Sequence, residues 1–478
     1  MIPCSTMKRS NNLFARALTM LSRTRPAVSL MMLTLVLPFA GARAVPSFAI
    51  QTGQPCAACH VGAFGPQLTS FGRDFKLYGY ISDDTKKHGI PISASDLFSF
   101  THTQADQPPG SVSPPRFSVN NNIEPAQEAS LFYAGTVIPK QVGAFVEIHY
   151  DAGDGGFSLG NVDIRRAKEG HLFGEDMVWG IDLNDVPTVQ DLWNSTPGWG
   201  YPYFGPGLAP SPAGTAQIQS QDITQLGVGS YLMWNDLIYL ETTLYAQPPR
   251  GYERTIGQPI SGGAAGAYAD RHDGVTPYWR LALQHGWDKD HQYFEIGTVG
   301  EETHIRPGGV TGLGSDSYLD NAIDASYQWY ANPNEVTAPI ISAHAIYVNE
   351  QQSLAASQAL GAAAARDYSL NSFHADVSYA YQATFIPTVQ YFTSSGSGDP
   401  LGHWGSGVNG PVSNPGSAGV TAEMAYVPWG KPDSPFGWRV NARFTVQYTD
   451  YFRFNGTSAH ASDNNTLWLV AHLAFAFN

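Results

Sequence analysis

The chain has 478 residues and a formal net charge of −14 at neutral pH, a balance that argues against nucleic acid and for cationic partners. Aromatic residues make up 12% and charged residues only 14%, with 49 glycines. Those are few charges for a soluble domain; the mixture suits a chain that presents alternate residues to lipid.

Residues 1–44 hold Lys8, Arg9, Arg16, Arg23, Arg25 and Arg43 and no acidic residue. The apolar run AVSLMMLTLVLPFAGA, Ala27 to Ala42, leads into Ala42-Arg43-Ala44. A basic start, an apolar middle and a small-x-small end predict a secretory signal cut after Ala44. A membrane anchor is the competing reading, but the run is short and broken by Pro38. Losing six basic residues takes the charge to −20 and removes Cys4, leaving two cysteines in the mature chain.

Those two stand in QTGQPCAACHVG, as Cys56-Ala57-Ala58-Cys59-His60. C-x-x-C-H is the spacing at which two thiols attach one haem covalently, with the adjacent histidine as proximal ligand to the iron. A zinc site needs further Cys or His ligands, and no other cysteine is present to supply them. A thioredoxin-like pair needs a βαβ context that the flanks lack. Next comes PQLTSFGRDFKLYGY, in which Leu68, Phe71, Phe75 and Tyr78 recur at helical spacing between Pro66 and Gly79. This predicts one short helix packed on the haem, with Arg73 and Lys76 as propionate partners or, alternatively, on a solvated face. Residues 45–115 are too few to enclose a haem, so the segment is expected to plug the structure that follows. For the second iron ligand, His88 and His102 are the local candidates, with lumen residues such as His149 behind them and an open or water-bound position as the alternative. Of the mature methionines, alternation turns Met177 and Met424 outward and Met233 inward.

From about Arg116 the chain alternates with period two. In VGAFVEIHY, Val142 to Tyr150, and WRVNARFTVQY, Trp438 to Tyr448, one face is apolar and the other mixed. About sixteen such strands are separated by tight connections near Pro139-Lys140, Asn235, 285–291 and 331–335. Long segments at 184–221, 247–275, 302–316, 349–370, 396–418 and 449–465 fall between these. Short turns taking turns with long loops predict a mainly β, even-stranded outer-membrane barrel over 116–478, in contact with outer-membrane lipid. A soluble β-sandwich or propeller has no reason to sort its loops this way. The expected inward face carries Glu147, His149, Asp163, Asp182, Glu241, Glu295, Asp320, Asp324, Asp376 and Glu423. Arg165, Arg280, Arg439 and Arg443 supply the counter-charges.

VPSFAIQTGQPCAACH and LTSFGRDFKLYGY resemble the fused outer-membrane monohaem cytochrome c–porin proteins of iron-oxidising bacteria. The resemblance implies one c-type haem, held here by Cys56, Cys59 and His60 at the barrel's lumen or periplasmic mouth; His88 stays a local candidate for a further iron ligand, read from its position alone. It also implies oxidation of extracellular Fe(II) and delivery of electrons to a periplasmic c-type cytochrome or other soluble carrier. A conduit for another donor or acceptor, and a passive porin with a structural or sensory haem, are the alternatives. Ser70 stands where that family often has proline, and VGAFGPQ is slightly longer than its usual spacer.

Overall fold

The computed structural model describes residues 47–81, 91–108, 112, 116–151, 156–185, 187, 189–196, 204–219, 225–255, 270–407 and 410–477. The expected signal peptide and His88 lie outside the described residues. Sixteen antiparallel strands form the wall. They are β1 (Ile92–Thr103), β2 (Asn122–Ile138), β3 (Val142–Asp151), β4 (Gly156–Leu172), β5 (Glu175–Asn184), β6 (Leu226–Trp234), β7 (Ile238–Ala246) and β8 (Val275–Trp287). The second half comprises β9 (Gln292–Arg306), β10 (Asp316–Tyr330), β11 (Ile340–Ser353), β12 (Asp367–Ala380), β13 (Phe385–Gly396), β14 (Ser417–Tyr426), β15 (Val440–Arg453) and β16 (Thr466–Phe477). Each pairs with its chain neighbour, and β16 returns to β1 in unbroken register from Ile92↔Phe477 to Thr103↔Thr466. The sheet is therefore a closed barrel without an edge, the form in which strands can cross a bilayer. Arg271–His272 merely extends the ladder beside β9.

The two faces divide as a lipid-facing barrel requires. Along β15, Phe444, Val446 and Tyr448 are exposed outward, whereas Asn441, Arg443, Thr445 and Gln447 are buried inward. Val228, Leu244, Ile323, Val377 and Val389 continue the outer apolar band. Tyr379, Tyr381, Phe385, Tyr426 and Phe444 form a girdle of exposed, neighbouring rings near one rim, at the depth where amphipathic aromatics settle. No described helix is long and apolar enough to cross a membrane; the strands do the crossing. The protein is an outer-membrane β-barrel.

Connections 139–141, 173–174, 235–237, 288–291 and 381–384 are tight and share one end, with the longer 331–339 and 427–439. The opposite end carries 104–121, 185–225, 247–274 and 397–416. By the loop-length rule the turn end faces the periplasm, and both β1 and β16 have their outer termini there. The barrel begins at Ile92, not near Arg116. The first strand escapes the alternation pattern because its inward face is Ser93, Ser95, Leu97, Ser99, Thr101 and Thr103, while Asp96 and His102 interrupt the outward one. Arg439 also departs from expectation, being exposed just before β15 rather than inside the barrel.

Ahead of β1 lie α1 (Ser47–Thr52), α2 (Cys56–Cys59) and α3 (Ser70–Leu77). They contact inward-facing wall residues all round. Gln51 joins the Tyr80 carbonyl and the Thr136 N–H, Arg73 reaches Gln328, and the Tyr80 hydroxyl donates to Asp163 at 2.5 Å. Gly135 and Gly143 make this approach possible. A Cβ on Gly135 would stand 2.6 Å from Pro91 Cβ, and one on Gly143 2.9 Å from Tyr80 Cβ. Helix α3 forms where predicted but turns the other way. It buries Gly72, Arg73, Lys76 and Leu77, while Phe71 and Tyr78 are 44% and 39% exposed. Against Gln328 of the wall and the carbonyls of residues 189 and 191, the cationic face gains more from contact than the aromatic one.

Candidate haem-binding site

Helix α2 is a single turn, and it puts the free thiols of Cys56 and Cys59 on one short segment followed at once by His60. His60 ends the turn in an extended conformation, its N–H donating to the Cys56 carbonyl at 2.9 Å. The chain then loops through Val61–Ala63 and comes back, with Val61 N–H donating to the Gln67 carbonyl and Leu68 bridging to His60. Thr69 caps α3, accepting from Gly72 N–H, and its hydroxyl donates to the Ala58 carbonyl. Gly72 lets α3 lie directly on the turn; a Cβ there would stand 3.0 Å from the Cys59 carbonyl carbon.

These residues fit a covalently bound haem. His60 Nδ1 is buried and makes no hydrogen bond. Burial pushes the imidazole down to about 4, with the Gly65 carbonyl pulling the other way, so the ring is neutral near pH 7, the form that ligates iron. Burial likewise pushes both free thiols up to about 12. The wall grips the loop from distant strands. Ala57 N–H donates to the Gly430 carbonyl at 3.0 Å, Asn441 to the Ala63 carbonyl at 2.7 Å, and Arg443 to the Phe64 carbonyl at 3.1 Å. Ala57, Val61 and Ala63 bury against Tyr330, Ile340, Ile386 and Val427.

Arg73 donates to the Leu68 carbonyl, Gln328 and Ser70, and its guanidinium lies 3.8 Å from the Tyr293 ring centroid. Lys76 donates to the Val189 and Asp191 carbonyls and to Asn194. Both charges are engaged by protein acceptors and anchor α3. His102 points outward at the loop end of β1, hydrogen-bonded to Asn121, on the opposite side of the wall from His60. His149 faces Ser158. Met233 faces inward but is enclosed by Leu77, Trp193, Tyr231 and Tyr239.

Sequence reading missed the part played by residues 189–196, which fold into the lumen. Lys76 holds this loop from below, Arg280 pairs with its Asp191, and Trp193 donates to Tyr293. Arg280 also pairs with Glu295 and Asp324, all with side chains 0% exposed. Nearer the loop end, Glu301, Asp320 and Glu350 face one another directly across β9, β10 and β11. Asp320 and Glu350 accept from the backbone N–H groups of Ile218 and Gln217. Buried from water and in direct register, three like charges repel, so the row cannot be fully ionised at once and its members share protons. Among the described residues no group of three or more His, Cys, Asp or Glu is arranged to hold a metal ion, so the row acts as a field rather than a cage.

No protein-family model matches the chain, and no curated protein sequence matches it. Solved structures do share the barrel. Salmonella typhi OmpF in complex with daunomycin is similar at 11% identity and a TM-score of 0.41, covering 81% of this chain and 97% of that one. Pseudomonas putida OprB gives 9% and 0.41, covering 81% and 93%. The outer membrane channel DcaP of Acinetobacter baumannii gives 10% and 0.39, covering 81% and 96%. Likenesses this distant carry no argument about activity, and the barrel assignment rests on its own strand register.

Proposed function

We propose that this outer-membrane barrel carries one c-type haem on Cys56 and Cys59, ligated by His60, and moves electrons across the membrane with Fe(II) as extracellular donor. The observation that carries the reading is the Cys-x-x-Cys-His turn meeting inward-facing groups of β13, β15 and the 427–439 connection. The similarity of its flanking residues to the fused cytochrome–porin proteins supports it. A haem held by this turn would be walled from lipid by the barrel. When bound, the haem would supply a one-electron couple, by which extracellular Fe²⁺ would become Fe³⁺ and its electron would go to a periplasmic c-type cytochrome or similar carrier. The protein's own residues do the rest. Arg73 and Lys76 keep the haem-bearing segment docked. The row Glu301, Asp320 and Glu350 lies in the loop-end half of the lumen, where the charge left after proton sharing favours cations over anions.

Anaerobic stopped-flow mixing of the ferric detergent-solubilised protein with Fe(II) tests this. Rapid appearance of reduced c-type bands is expected. A haem that dithionite reduces but Fe(II) leaves oxidised, at a pH where the driving force is favourable, removes Fe(II) as donor. A second reading, a solute channel with the haem segment as a fixed structural element, is favoured by the strand count, since sixteen-stranded barrels commonly enclose an aqueous channel. Solute flux through proteoliposomes without any redox response of the haem would select it.

A further inference from the structure

One inward-facing imidazole beside the Cys-x-x-Cys-His loop makes no hydrogen bond to a described residue. His472 sits on the inner face of β16 and is 8% exposed. Its ring centroid lies 4.8 Å from that of Phe64, four residues after His60, and 5.3 Å from that of Phe204. Those ring contacts are its interactions; it makes no hydrogen bond to a described residue. The neighbours in register are Leu97 on β1 and Arg443 on β15, and Arg443 donates to the Phe64 carbonyl. The strand carrying His472 and the loop carrying His60 are thus fastened together at this point. Close by, Leu97, Trp468 and Val470 bury together with Phe204 against them, an apolar patch in a largely polar lumen.

His472 commits neither ring nitrogen to a described residue, which leaves one to ligate a metal centre. Neutral imidazole flanked by aromatic and aliphatic groups is the commonest donor to haem iron. We infer that His472 is the second axial ligand of the haem, so that the iron is held between the N-terminal segment and the barrel's last strand. This rests on the haem reading above. Other candidates are placed less well. Met424 is 47% exposed on the outer face, Met233 is enclosed on the α3 side, and His102 lies outside. His344 is committed to Asp376, and His374 stacks on Phe392 of β13. Two histidine ligands leave no open coordination position, which suits electron transfer. They also set the couple below that of a His/Met centre, because methionine ligation raises the potential.

The test uses full-length holoprotein in detergent, comparing wild type, His472→Ala, His472→Met and His374→Ala as control. Heat-modifiable electrophoretic mobility reports barrel folding, intact mass reports covalent haem, and ferric EPR and optical spectra report ligation. Wild type and His374→Ala are expected to be low-spin. His472→Ala is expected to turn high-spin and to recover a low-spin spectrum with added imidazole. His472→Met is expected to keep six-coordination with an upward shift in potential; it carries the test should His472→Ala fail to fold. A low-spin His472→Ala spectrum matching wild type, a high-spin wild type, or an unshifted His472→Met potential overturns the assignment while leaving the haem reading intact. Absence of haem from the wild-type mass overturns both.

Discussion

Replacing Lys76 with methionine should release helix α3 from the lumen while leaving the barrel folded. The lysine is 5% exposed, and its Nζ lies 2.7 Å from the Val189 carbonyl, 2.6 Å from the Asp191 carbonyl and 3.0 Å from Asn194 Oδ1. Hydrogen bonds to a charged group contribute about 1.5–3 kcal/mol each. Desolvating the ammonium offsets part of that, and methionine refills the volume of the stem. The loss also leaves buried carbonyls without their donor, so the net cost is about 4 kcal/mol. At about 1.4 kcal/mol per tenfold, local opening of the segment becomes roughly 10³-fold more frequent. Hydrogen exchange read by mass spectrometry reports this directly. Peptides spanning 61–80 should lose about three orders of magnitude of protection, and those from β14 to β16 should change little. Unchanged protection over 61–80 would refute the view that this contact docks the segment.

Val446→Arg places a guanidinium on the outer face of β15, where the side chain is 52% exposed to lipid, and should destabilise folding into bilayers by about 2–4 kcal/mol if it lies near the midplane, measured by urea titration. Arg280→Met strands Asp191, Glu295 and Asp324 without their cation and should cost about 3–5 kcal/mol, seen as a lowered unfolding temperature. The double variant Glu301→Gln/Glu350→Gln should slow haem reduction by Fe(II) several-fold and flatten its dependence on ionic strength, with no change in reduction by a neutral reductant. Cys56→Ser/Cys59→Ser should abolish covalent haem by intact mass while the barrel retains heat-modifiable mobility.

The barrel was legible because lipid imposes its rule on every second residue. Phe444, Val446 and Tyr448 must be apolar whatever faces them, so alternation survives without knowledge of partners. It was hidden in β1, where small polar inward residues and Asp96 blur the contrast. The Cys-x-x-Cys-His spacing is legible because it is local, with two thiols and an imidazole inside five residues. The orientation of α3 was not, since an amphipathic reading assumes an apolar neighbour and the neighbours here are the Gln328 carboxamide and the carbonyls of the 189–196 loop. Nor could the sequence bring Asn441, Arg443 and His472 to residues 56–64, because only closure of the barrel makes the last strands neighbours of the first segment.

Electron transfer across a sealed membrane tests the central claim most directly. Proteoliposomes loaded with an oxidised, membrane-impermeant cytochrome c and bathed anaerobically in Fe(II) should show reduction of the trapped cytochrome. That reduction should be lost with Cys56→Ser/Cys59→Ser at equal barrel content. Trapped cytochrome that stays oxidised while the barrel's own haem is reduced, or that is reduced equally by the cysteine variant, would contradict the account.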